Sequence, residues 1–228
     1  MLYELDAQLI VLTLGWMTYF LLHSLLASLM VKRWVERHWP HWLPVYRLLF
    51  NAIAVVLLLP LLWLSYSIDA PVLWRWSGVW SWLANGLVLL AFAGFLWSMR
   101  YYDSGEFIGI RQWRARETRI EDQEHLHISP LHRYVRHPWY LFALILMWSR
   151  DMNAPLLLTV CMASLYFLFG SRLEERKLLS YYGNAYVRYR QRVPGLIPLP
   201  WRHLSADEAA ELERMARVQQ QSKRIVQK

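Results

Sequence analysis

The chain has 228 residues, of which 56% are hydrophobic and 15% aromatic, with 14 Trp and a formal net charge of +8. So apolar a composition excludes an ordinary soluble domain. The basic residues flank apolar runs and form no separate domain, so nucleic acid is not the reason for the charge; attraction to anionic lipid accounts for it.

Three long apolar runs come first. Leu9 to Val31, Val45 to Tyr66 and Gly78 to Met99 each exceed the ~20 residues needed to cross a hydrocarbon core. A fourth apolar region runs from Trp139 to Gly170 and is broken by Arg150-Asp151-Met152-Asn153, which reads as two antiparallel helices joined by a turn. The expected fold is all-α and integral to the membrane. It has five transmembrane helices, the last two a helical hairpin, and a cytoplasmic C-terminal helical segment. Residues 1-100 carry the first three helices, 101-200 a cytoplasmic loop, the helical hairpin and a C-terminal segment, and 201-228 a polar tail.

Basic residues set the orientation. Of 25 Lys and Arg, 23 fall in 32–47, 100–136 and from 172 onward, against Arg75 and Arg150 alone on the opposite side. The positive-inside rule then places the N-terminus outside and the C-terminus in the cytoplasm, in a bacterial inner membrane. The acidic start, Met1 to Asp6, lacks a basic n-region, so the first span is expected to be retained. The single Cys161 lies in an apolar run and offers no disulfide framework.

Within the first helix, His23 is ionisable near mid-span, which makes it a candidate on the substrate side. A neutral histidine bonded to a neighbouring helix fits equally well. Trp34, Trp39 and Trp42 on one side, and Trp74, Trp76, Trp80 and Trp82 on the other, read as interfacial belts. Asn51 and Pro60 mark a packing contact and a kink. The polar stretch Tyr101 to Pro138 is long enough to be functional. Within it, Gly109 allows close backbone approach and Gln112 offers donors and an acceptor. Arg111, Arg114, Arg116 and Arg119 read as a basic surface.

The two feet of the hairpin are the most informative part. Arg136-His137-Pro138-Trp139-Tyr140 opens it and Glu174-Glu175 closes it, so both are returned to one membrane face. Pro138 suits the first turn of a helix, whose free N–H groups together with Arg136 form an anion site. The two carboxylates lie where a helix dipole disfavours them, so Arg172 and Arg176 are expected to compensate one, leaving the other for an amine or hydroxyls. Pro138 to Ser149 covers only ~18 Å, less than the ~30 Å core, so the Arg136-His137-Pro138 loop is expected to line a recessed pocket. After it, Ser205 and Glu208 form a capping-box pattern ahead of a solvated helix or frayed tail.

Other chemistries lack their signatures. There is no Gly-rich dinucleotide or phosphate loop and no nucleophile elbow. His125 and His127, with His132 and His137 downstream, lack a zinc spacing. A haem ligand among His23, His38 and His41 stays open.

Tyr134-Val135-Arg136-His137-Pro138-Trp139-Tyr140-Leu141, followed by Arg172-Leu173-Glu174-Glu175-Arg176, Gly183, Tyr186, Tyr189 and Arg192-Val193-Pro194, resembles the isoprenylcysteine carboxyl methyltransferase and phospholipid methyltransferase superfamily. Phe107-Ile108-Gly109-Ile110-Arg111-Gln112 looks closest to the bacterial methanethiol S-methyltransferases, and His23-Ser24 with Ala27-Ser28 is similar to NnrU-like membrane proteins. Pro130 and His132 stand where the family commonly has Gly and an aromatic. Tyr102 to Glu106 likewise departs from the thiol enzymes' Asn-His-Phe-acid stretch.

The resemblance implies a membrane methyltransferase using S-adenosylmethionine and no metal, with a small thiol or lipophilic heteroatom acceptor. Arg136 and His137 would be catalytic, and Gln112, Tyr134, Val135, Arg136, His137, Tyr140, Glu174, Glu175, Tyr186 and Tyr189 would hold the cofactor. Tyr186 and Tyr189 would close the pocket. Two alternatives stay open: a non-catalytic NnrU-like protein linked to nitrogen-oxide or haem metabolism, and a phospholipid N-methyltransferase.

Overall fold

The computed structural model describes residues 2–116 and 126–226; Arg119 and His125, noted above, lie outside them. The described chain is almost wholly helical. In chain order it forms α1 (Leu2–Ala27), α2 (Leu29–His38), a 3-10 turn (Pro40–Trp42), α3 (Leu43–Ser67), β1 (Val72–Trp74) and α4 (Val79–Ser98). A second 3-10 turn (Met99–Tyr101) leads to α5 (Ser104–Ile108) and α6 (Ile110–Arg114). Then come α7 (Pro138–Trp148), β2 (Met152–Asn153), α8 (Ala154–Arg192) and α9 (Ala206–Val226). Among the described residues, four helices are long and apolar enough to cross a membrane: Tyr3–Ala27, Pro40–Ser67, Val79–Tyr101 and Ala154–Arg192. The protein is therefore an all-α integral membrane protein. The helix expected at the start of the last apolar region is short: α7 has 11 residues, ~16 Å of rise. The break at Arg150 to Asn153 contains β2, which pairs antiparallel with β1, Val72 opposite Asn153 and Trp74 opposite Met152.

The chain divides into two compact units. The first comprises Met1–Ala84, Tyr102–Asp122 and Arg150–Ala163; the second comprises Asn85–Tyr101, Gln123–Ser149 and Ser164–Lys228.

In the first unit, Leu12, Trp16 and Ile68 are buried among Leu58, Leu61, Leu158 and Met162. Polar groups inside this apolar packing are paired, as a low-dielectric setting requires. Trp16 Nε1 donates to Thr159 Oγ1 at 3.0 Å, and Ser65 Oγ lies 2.7 Å from the same oxygen. Asp103 caps α5 by accepting from Glu106 N–H. Gly109 then separates α5 from α6 with φ 101°, against the backbone of α3, where a Cβ would lie 2.9 Å from Leu48 N. Asn51 Nδ2 fastens the same turn by donating to Phe107 O at 3.1 Å and Ile108 O at 2.9 Å.

In the second unit, α7 is held along its length. Trp139 Nε1 donates to Ser98 Oγ at 2.8 Å, and Phe142 packs where Gly94 has no side chain. Its contacts with α8 run in opposite order along the two helices, from Trp148 with Ser164, through Tyr140 with Phe167, to His137 with Glu175.

The polar tail is not frayed over its described length. Ser205 and Glu208 close a capping box, with Glu208 N–H donating to Ser205 Oγ at 3.2 Å and Ser205 N–H to Glu208 Oε2 at 2.8 Å. Beyond the cap, Ala209, Leu212 and Ala216 bury themselves with Leu126, Ile128, Tyr182, Ala185, Tyr186, Tyr189, Val193 and Leu204 in one core. Sequence reading passed over this stripe because alanines carry little hydrophobic signal, although their spacing is helical.

Candidate functional site

Pro138 opens α7, and the residues just before it leave the helix ladder and bond sideways. Arg136 N–H donates to Pro194 O at 2.9 Å and His137 N–H to Gly195 O at 3.1 Å. The start of α7 is thereby laced to the segment that follows α8.

Side chains continue the same connection. Arg136 Nε and Nη2 both donate to Glu175 Oε1, at 2.9 and 2.6 Å, and Nη1 donates to the carbonyls of Arg190 and Val193. Both charged side chains are about 10% exposed. His137 Nε2 sits 3.1 Å from the same Glu175 oxygen, while its Nδ1 is 3.5 Å from Glu174 Oε2. Glu174 differs from its neighbour. Its side chain is 48% exposed, and Tyr140 Oη reaches it only at 3.4 Å. Beside these groups the rings of His137, Tyr140 and Phe167 stack nearly parallel, with centroids 5.3 and 4.8 Å apart.

This geometry changes three expectations. Glu175 is balanced across the unit by Arg136 and His137, whereas Arg172 and Arg176 had been expected to compensate one carboxylate. All three Arg136 nitrogens are engaged by protein acceptors and both His137 ring nitrogens face carboxylates, so these two side chains, expected to be catalytic, anchor the start of α7. Tyr186 and Tyr189, expected to cover a pocket, are core residues at 1% and 3% exposure, packed edge to face. Tyr189 Oη donates to His132 O at 2.7 Å and so fixes the loop ahead of Arg136.

The remaining candidates are spread more widely. Val135 is buried and bonded through its N–H to Leu131 O. Tyr134 is half exposed and stacks on His203, at 5.4 Å between centroids. His132 is half-buried in its loop, with Nδ1 2.8 Å from Ser129 Oγ, and desolvation, with smaller contributions from His127 and His137, pushes its pKa down to about 4. Gln112 and His23 belong to the first unit. Gln112 Nε2 donates to Glu106 O at 3.2 Å, and its buried Oε1 has no hydrogen-bond partner among the described residues. His23 packs between Tyr19 and Phe50, at 5.8 and 4.9 Å. Sequence reading missed Arg133, whose buried Nε has no hydrogen-bond partner among the described residues. A basic residue beside a loop gives no signal of burial in sequence.

Together the second unit offers one closed ion-pair network and, next to it, a half-open carboxylate beside a stack of rings. Such a set suits a ligand that carries positive charge and an aromatic or apolar body.

No family profile and no solved structure matches the chain. Curated proteins do. The chain is 33% identical over 181 residues to methanethiol S-methyltransferase 2 of Bradyrhizobium diazoefficiens, spanning 77% of this chain and 68% of that protein. It is 34% identical over 189 residues to the methanethiol S-methyltransferase of Pseudomonas sp., again 77% and 68%. With the Mycobacterium tuberculosis enzyme of the same name the identity is 33% over 199 residues, 79% and 74%. At this identity and coverage, the chain belongs to the methanethiol S-methyltransferase family.

Proposed function

We propose that this protein is an integral-membrane, S-adenosylmethionine-dependent methyltransferase that methylates a small thiol such as methanethiol. The observation that carries the reading is the half-exposed Glu174 carboxylate beside the His137–Tyr140–Phe167 rings, in a chain of this family. The residues fit the cofactor. Its ammonium and sulfonium are cations, which a half-open carboxylate and ring faces attract. Its carboxylate needs a donor, and Arg133 Nε is a buried donor without a partner among the described residues. S-adenosylmethionine supplies a methyl group made electrophilic by a positive sulfur.

The protein's share of the work is placement. Transfer from a sulfonium asks for in-line approach and exclusion of water more than for a strong acid or base. Glu175 and Arg136 hold the two feet of the site together, and His137, gripped by carboxylates on both sides, orients Tyr140 by stacking. Glu174 is then the carboxylate that meets the ligand.

The reading includes the membrane arrangement. α7 and the first part of α8 form the fourth and fifth crossings, α7 being short enough that its N-terminal foot lies below the cytoplasmic surface. The N-terminus is outside and the C-terminus cytoplasmic, in a bacterial inner membrane.

The test is calorimetric titration of detergent-purified protein with S-adenosylhomocysteine, beside gas-chromatographic detection of dimethyl sulfide from methanethiol. Glu174→Gln should weaken cofactor binding by at least tenfold while leaving thermal unfolding unchanged. Cofactor binding unaltered in Glu174→Gln would remove this site assignment, and no methylation of any small thiol by folded protein would remove the function.

A further inference from the structure

The segment after α8 displays apolar surface in an unexpected place. Val193 and Pro194 are buried, and the carbonyls of Pro194 and Gly195 accept from Arg136 and His137, the two residues preceding α7. The chain then turns outward, and Ile197 and Trp201 stand 71% and 76% exposed. The turn is not loose. Arg202 N–H donates to Leu199 O at 2.9 Å, Arg202 Nη2 donates to Gln191 O at 2.6 Å, and Pro198 and Pro200 restrict the backbone. Two large apolar side chains are thus held out on a rigid base, with Arg190, Arg192, Arg202 and His203 close by in the chain, Arg192 paired with Glu208.

We infer that the 196–201 turn is a membrane anchor, inserted at the headgroup level of the cytoplasmic leaflet, and that its partner is anionic phospholipid. Trp and an aliphatic tip flanked by arginines match the apolar and charged layers of that interface. Position agrees: the turn is bonded to the start of α7, an apolar helix, so it is carried at the depth of that helix's foot. The inference rests on the reading of α7 as a membrane crossing. It also makes the anchor and the site one piece. A Cβ on Gly195 would lie 3.4 Å from Arg136 Nη2 and 3.9 Å from Glu175 Oε1, so the turn starts directly against the ion-pair network.

Spin labels in proteoliposomes containing phosphatidylglycerol test this. In a Cys161→Ala background, Ile197→Cys and Trp201→Cys are labelled one at a time. Val56→Cys in α3, Leu144→Cys in α7 and Glu211→Cys in α9 serve as lipid, α7 and water references. Collisions with oxygen should exceed those with a water-soluble nickel chelate at 197 and 201, as at 56, and the reverse should hold at 211. Nickel-dominated collisions at 197 and 201 with oxygen-dominated ones at 144 would overturn the anchor and leave the α7 reading intact. Nickel-dominated collisions at 144 as well would overturn both. Protection of 197 and 201 from both reagents would show a protein partner or a second copy there, and would equally overturn the lipid anchor.

Discussion

Arg136 and Glu175, 39 positions apart, meet at 2.6 Å from Nη2 to Oε1, with a second bond from Nε at 2.9 Å to the same oxygen. The contact joins the residue two before α7 to the middle of α8, and His137 adds a third donor position at 3.1 Å. Glu174, one residue away, takes no part in the Arg136 contact; its side chain is 48% exposed, 3.5 Å from His137 Nδ1. Adjacent carboxylates in a helix point about 100° apart, so a double acid at this position divides naturally into one internal and one external group.

Removing either partner of the internal pair should destabilise more than removing both. Arg136→Met or Glu175→Leu alone leaves a largely buried charge uncompensated, at a cost of roughly 3–5 kcal/mol. The double variant should recover part of that loss, and chemical denaturation in detergent reads the difference. A simple sum of the two single effects would mean that the pair does not act as a unit.

Tyr189 is expected to matter for stability rather than for chemistry. Tyr189→Phe removes the hydrogen bond donated to His132 O, at about 1–3 kcal/mol. Cofactor affinity should change only through the loop, so the melting temperature should fall while the dissociation constant in the folded protein stays within about threefold, under ~1 kcal/mol. A large loss of affinity with unchanged melting would place Tyr189 against the ligand instead of in the core.

What was legible in the sequence followed from composition and spacing. Apolar runs gave the four long helices, and Pro138 with the charges flanking the last apolar region gave the side chains that meet at Arg136, His137 and Glu175. The partners of those charges were not legible. Arg172 and Arg176 are near Glu174 and Glu175 in sequence, but the buried guanidinium comes from Arg136 because the antiparallel contacts of α7 and α8 bring it there. Tyr186 and Tyr189 were expected to cover a pocket only because the resemblance implied it. Their burial depends on α9, whose contribution is two alanines and Leu212. The β1–β2 ribbon was missed because two- and three-residue strands carry no period.

Gly109 should be among the least replaceable residues of the first unit. Its φ of 101° is strained for any side chain, and a Cβ would lie 2.9 Å from both Arg47 Cβ and Leu48 N, part of it rigid helix backbone. Gly109→Ala should cost at least ~1–2 kcal/mol and loosen the Asn51 contacts to Phe107 and Ile108. Faster hydrogen exchange across 104–114 in the variant would register the loosening. Unchanged exchange would show that the turn tolerates a side chain.

Acid should weaken the loop ahead of Arg136 through His132. Its pKa in the folded protein is near 4, below the ordinary 6.5, because burial disfavours the charged ring and His127 and His137 add to the effect. Ser129 Oγ lies at its Nδ1 and Tyr189 Oη at its carbonyl. The unfolded chain takes up this proton as pH falls through 6.5, and the folded chain holds out until about 4. The stability is therefore complete above 6.5, drains away between 6.5 and 4, and changes no further below that. Its size is at most roughly 3 kcal/mol. His132→Asn cannot titrate, so its melting temperature should fall less steeply across this window than that of the unaltered protein. Parallel curves for the two proteins from pH 7 to pH 4 would show that His132 is not the group through which acid acts.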